Sequence, residues 1–80
     1  MHYVYLIQSI KNSSIYVGYS TDLKNRMAAH QTGNSKHTSK NRPWKLKCYF
    51  AFEDKGAALD FENYLKAGSG QAFRKRHFKL

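Results

Sequence analysis

The sequence has one cysteine, one proline and only five acidic residues among eighty. Each scarcity excludes something. Cys48 cannot close an internal disulfide, and with no CxxC pair neither a disulfide scaffold nor a zinc site is expected. It reads as a small hydrophobe buried in a strand. The five carboxylates, Asp22, Glu53, Asp54, Asp60 and Glu62, are too dispersed for the clustered acids of two-metal hydrolysis. There is no long hydrophobic run. The stretch Met1-His2-Tyr3-Val4-Tyr5-Leu6-Ile7 turns polar too soon for a signal peptide or a membrane span, so a cytoplasmic protein is expected. No repeat, low-complexity tract or linker divides the chain, which is short enough for one domain, residues 1–80.

Positive charge is abundant. Fourteen Lys and Arg give a formal charge of +9, which calls for a polyanionic partner. Nucleic acid is the first expectation. An anionic membrane surface is disfavoured, because no basic amphipathic helix with large apolar anchors is evident. A merely soluble basic chain is the plain alternative. Hydrophobic residues at 41% suffice for a globular core, though so short a chain buries only about 60% of its unfolded surface.

Residues 3–10 and 15–19 are β-branched and aromatic around a turn-like Lys11-Asn12-Ser13-Ser14, which predicts a β-hairpin. Ser20 or Thr21 is a candidate N-cap for a helix over 22–31, with Asp22 in its first turn. Residues 32–43 read as a loop, Trp44 to Phe52 as a third strand and Asp54 to Lys66 as a second helix ended by Gly68-Ser69-Gly70. A short basic helix from Gln71 to Phe78 completes β-β-α-β-α-α. This is an α+β fold with a small three-stranded antiparallel sheet flanked by helices.

A two-residue loop at Asn12-Ser13 would pair Ser9 with Tyr16 and Ile7 with Gly18. Strand alternation then puts Val4, Leu6 and Ile10 on one face with Ile15, Val17 and Tyr19, and Tyr5 on the other with Tyr16 and Gly18. A glycine within a strand often marks close approach by a ligand or another backbone, although strand propensity alone accounts for the tyrosines. On the first helix, Leu23, Arg26, Met27 and His30 share the stripe that should pack inward. Arg26 and His30 are one turn apart and could converge on one site. Taken singly, a snorkelling arginine and a dipole-favoured histidine are the plainer readings. On the second helix Ala58, Phe61 and Leu65 form the apolar stripe, with Glu62 at its edge and Lys66 one turn on; a surface salt bridge is the simple explanation there.

Together these residues resemble the GIY-YIG nuclease superfamily over nearly the whole chain. Tyr3-Val4-Tyr5 stands where that family has Gly-Ile-Tyr, and Tyr16-Val17-Gly18 where it has Tyr-Ile-Gly. Asp22-Leu23-Lys24-Asn25-Arg26 with His30 is similar to its first helix, and Phe61-Glu62-Asn63-Tyr64-Leu65-Lys66 to the later helix with its metal-binding glutamate. Lys40-Asn41-Arg42-Pro43-Trp44-Lys45-Leu46 and Leu65-Lys66-Ala67-Gly68-Ser69-Gly70 resemble the small stand-alone bacterial members. The resemblance implies hydrolysis of nucleic-acid phosphodiesters, DNA ahead of RNA, at one Mg²⁺ or Mn²⁺ held by Glu62. It implies a catalytic set of Tyr5, Tyr16, Arg26, His30 and Glu62, with Arg26 as phosphate clamp and Tyr5 as base or relay. Gly18, His37, Lys40, Arg42, Lys66, Arg74, Lys75 and Arg76 are the expected substrate contacts. Three rivals stand beside this reading. One is a binding module that has lost cleavage. Another is a nuclease built on the E-x-K sequence Glu53-Asp54-Lys55, for which only Asp22 could be the upstream acid. The third is a structural role in a ribonucleoprotein, which would bind RNA tightly whether or not metal is present.

Overall fold

Alternation along the first strand sets the layout of the molecule. The computed structural model describes residues 1–80. Strands β1 (His2–Ser9), β2 (Ile15–Ser20) and β3 (Trp44–Phe52) form one antiparallel sheet in the order β2-β1-β3. Helices α1 (Leu23–Thr32), α2 (Lys55–Lys66) and α3 (Gly68–His77) flank it, and a 3₁₀ turn occupies Ser39–Asn41. The expected element order and the α+β class both hold.

The central strand β1 is buried on both faces, so its even and odd residues serve two separate cores. Val4 and Leu6 join Val17, Ala58 and Leu65 beneath α2, with Phe50, Phe61 and Phe78 closing the cluster. Tyr5 and Ile7 join Trp44 on the other side, with Tyr16, Leu23, Met27 and Leu46 around them.

The hairpin register differs from the expectation by two residues. Tyr5, not Ile7, pairs with Gly18, and Ile7 pairs with Tyr16. The loop spans four residues, because the Ser9 and Ser13 N–H groups donate to Ser14 O and Ser9 O, each at 2.9 Å, and Ser13 takes a left-handed φ of 64°. The buried Ser9 Oγ stabilises this turn by accepting from the Lys11 and Asn12 N–H groups at 3.1 and 3.2 Å. A shift of two leaves every side chain on its predicted face, whereas a shift of one would reverse them all. The exception is Ile10, which falls in the loop and is exposed.

Three helix ends also differ from the expectation. Asp22 itself caps α1, accepting from Asn25 N–H at 3.1 Å, while Ser20 Oγ accepts from Asp22 N–H at 2.9 Å. Asp54 caps α2 through Ala57 N–H at 2.8 Å. Gly68-Ser69-Gly70 opens α3 instead of merely ending α2, because Ala67 alone breaks the helix with extended backbone. Gly70 packs so tightly on α2 that a Cβ there would sit 1.6 Å from Tyr64 O.

Candidate active site

The α1 face is thinly apolar. Of the residues of α1 only His30 is fully buried, and the helix is tied to the start of β3 by Gln31, whose amide bonds both the N–H and the carbonyl of Trp44. A histidine without partners in such a place would be costly, because each ring nitrogen needs one. Both have one. Nε2 lies 2.7 Å from Tyr5 Oη, and Nδ1 lies 2.7 Å from Thr38 Oγ1. Tyr5 and Thr38 are themselves buried, and the Thr38 carbonyl accepts the Trp44 indole N–H at 2.8 Å. The result is a buried hydrogen-bonded chain, Tyr5–His30–Thr38, joining β1, α1 and the following loop.

Its electrostatics follow from burial and from its neighbours. Burial first, and then Arg26, holds His30 below its ordinary value, so the imidazole is neutral at pH 7. Burial first, and then Tyr16, pushes the Tyr5 phenol well above the usual range; Arg26 pulls it back, and Glu62, the smallest influence, adds to the rise. Tyr5 is therefore a phenol, not a phenolate, at pH 7.

Tyr16 completes an aromatic cluster, 6.5 Å from Tyr5 and 5.4 Å from His30 between ring centroids. Gly18 serves Tyr5 directly: a Cβ there would lie 2.4 Å from both Cζ and Oη of the phenol, so the ring lies over bare backbone. Arg26 does not pack inward with Leu23 and Met27 as its position in the stripe suggests. It is exposed, yet its charge still acts on Tyr5 and His30. Glu62 sits on α2, across the sheet. Its charge adds a small upward push on Tyr5. Glu62 is mostly buried, its side chain 15% exposed, and pairs with Lys66 Nζ at 3.1 Å.

The remaining candidates lie outside this cluster. His37 is exposed in the loop beside Thr38. Lys40 is exposed on the 3₁₀ turn, and Arg42 donates to Ser39 O at 3.0 Å with its guanidinium against Gly33. Lys75 and Arg76 are exposed on α3, whereas Arg74 is half-buried with an unpartnered Nε. Glu53 is exposed after β3, and its neighbour Asp54 is taken up in capping. Thr38 was missed by the sequence reading. It sits among Thr32, Ser35 and Ser39 with nothing local to single it out.

The donor set tests what metal fits. No group of three or more His, Cys, Asp or Glu is gathered for a metal ion, so the protein builds no closed cage. A carboxylate oxygen such as that of Glu62 suits a hard cation, and Mg²⁺ binds through one or two carboxylates while keeping water and substrate oxygens. The residues present fit such an ion.

Residues 1–77 match the family model described as the GIY-YIG catalytic domain. The chain is 34% identical over 67 residues to a UPF0213 protein of Haloquadratum walsbyi, covering 82% of this chain and 74% of that one. It is 37% identical over 71 residues to a UPF0213 protein of Staphylococcus haemolyticus, covering 88% and 85%. Among solved structures, the solution structure of a UPF0213 protein from Bacillus halodurans is similar, with a TM-score of 0.58 and 33% identity over 92% of this chain and 79% of that one.

Proposed function

The chain belongs to the GIY-YIG catalytic-domain family, and from that premise we propose that it is a metal-dependent endonuclease hydrolysing nucleic-acid phosphodiesters with low sequence specificity. The observation that carries the reading is the buried Tyr5–His30–Thr38 chain, lying within electrostatic reach of both Arg26 and Glu62. Phosphodiester hydrolysis needs a base for the attacking water and positive charge on the non-bridging oxygens. Tyr5 takes the water proton as it passes its own to His30 Nε2. This requires the hydrogen of the neutral imidazole to sit on Nδ1, donated to Thr38 Oγ1. Such a relay never leaves a bare phenolate. Tyr16 positions the water. Arg26, exposed and planar, clamps the phosphate. Glu62 would hold a divalent cation, which when bound would supply positive charge to the phosphate oxygens.

One observation favours the rival binding module: Lys66 already occupies one oxygen of Glu62, as in an ordinary surface ion pair. The deciding experiment assays cleavage of branched, duplex and single-stranded DNA and RNA with Mg²⁺, Mn²⁺ or EDTA. It compares Glu62→Gln with Glu53→Gln at matched binding. Glu62→Gln should abolish cleavage and spare binding, Glu53→Gln should change little, and Arg26→Ala should slow the reaction by about two to three orders of magnitude. Cutting at the wild-type rate by Glu62→Gln overturns the mechanism, and absence of cleavage by the unaltered protein selects the binding module.

A further inference from the structure

We infer that the open cleft between α1 and β3 is a pocket for one unpaired nucleobase bearing an amino group. This deepens the nuclease reading and rests on it for what strand is present: the substrate there is single-stranded or locally opened, not intact duplex. The cleft measures about 520 Å³, within the range of small-molecule sites. Its walls include Tyr3 and Tyr49, in edge contact with centroids 6.0 Å apart, over a floor that includes Leu46 and Met27. Tyr49 is 53% exposed on an edge strand, an apolar ring face open to water. Such rings stack on any base whose own face is free, and a base within a duplex has none.

Charge separates base from phosphate. Lys24 lines the cleft and offers a phosphate contact at its edge. Asp22, exposed among the lining residues, carries a carboxylate that repels phosphate and accepts hydrogen bonds only. Its Oδ1 is committed to Asn25 N–H, while Oδ2 has no hydrogen-bond partner in the protein. That oxygen favours the amino groups of cytosine, guanine or adenine. Thymine and uracil offer one N–H between two carbonyl oxygens, which the carboxylate repels. The cleft also adjoins the candidate active site: Met27 packs against the Tyr5 cluster and is the sequence neighbour of Arg26. A base held there places its own phosphates beside that arginine.

The test is metal-free titration of the whole protein with short oligo(dC) and oligo(dT), followed by NMR shifts and by anisotropy. Oligo(dC) should bind more tightly, with shifts at Tyr3, Leu46 and Tyr49. Tyr49→Ala should weaken binding about tenfold, while Tyr49→Trp keeps it. Asp22→Asn, which retains a good helix cap, should erase the preference for oligo(dC) without unfolding the protein. Equal binding of the two oligomers, or unchanged affinity in a folded Tyr49→Ala variant, overturns the pocket. None of these readouts needs cleavage. A protein that passes them and never cuts keeps the pocket and loses the nuclease reading. One that cuts, with Tyr49→Ala unaltered in binding and rate, keeps the nuclease reading and loses the pocket.

Discussion

α2 and α1 are held against opposite faces of one sheet by different physics. α2 lays Ala58 and Leu65, both fully buried, onto Val4, Leu6 and Val17, and it packs against all three strands and α3. Burial of that kind is non-directional and tolerates small shifts. α1 rests on β3 and the 3₁₀ turn, and its one fully buried side chain is a histidine whose place depends on two hydrogen bonds. Directional bonds in a buried site are worth little if misaligned and costly if broken. The molecule thus keeps its stability on one face and concentrates directional polar chemistry on the other, with β1 alternating between them residue by residue.

Three substitutions sharpen that division, from the largest effect to the smallest. Leu65→Ala removes the centre of the apolar face and should cost about 2–5 kcal/mol in chemical denaturation, a large share of the stability of so small a domain. A loss below 1 kcal/mol would mean that the α2 face is not the main support. Gly18→Ala should cost less, about 1–3 kcal/mol, because its methyl meets only the phenol of Tyr5. That phenol is buried, so displacing it should break the Tyr5–His30 bond, and cleavage should fall far more than stability. Equal losses of both would erase the distinction between the faces.

The smallest effect is one of pH. His30 is held below its ordinary value of 6.5, so the unfolded chain binds its proton more readily than the folded one. The stability it contributes is complete above pH 6.5 and is lost as pH falls below that value, at up to about 1.4 kcal/mol per pH unit. His30→Gln should flatten that slope in a series of denaturation curves. Cleavage should fail in the same direction, because a protonated imidazole cannot accept the proton of Tyr5. A stability slope unchanged by His30→Gln would place the acid sensitivity elsewhere.

Much of this could be read locally. The alternation of Val4, Tyr5, Leu6 and Ile7 assigned two faces before any loop was known, and it survived a register shift of two residues because the period is two. Gly18 between tyrosines marked a close approach, and the approach is that of Tyr5. The exposure of Arg26 agrees with the snorkelling reading; helical periodicity fixes which residues align but not how far the helix turns toward the sheet. The Glu53-Asp54-Lys55 sequence was equally legible; its middle residue Asp54 caps α2, while Glu53 stands exposed after β3.

The sequence by itself determined the element order, the two faces of the sheet and the excess of positive charge, because each depends on residue type and near-neighbour spacing. Only the tertiary structure decided that Thr38 holds the far nitrogen of His30, that Arg26 stays open to solvent, and that Glu62 acts on Tyr5 from the other side of the sheet. The Tyr5–His30 bond spans 25 positions and brings together groups from a strand and a helix. No local pattern encodes such a distance, which is set by how helices, sheet and loop close on one another.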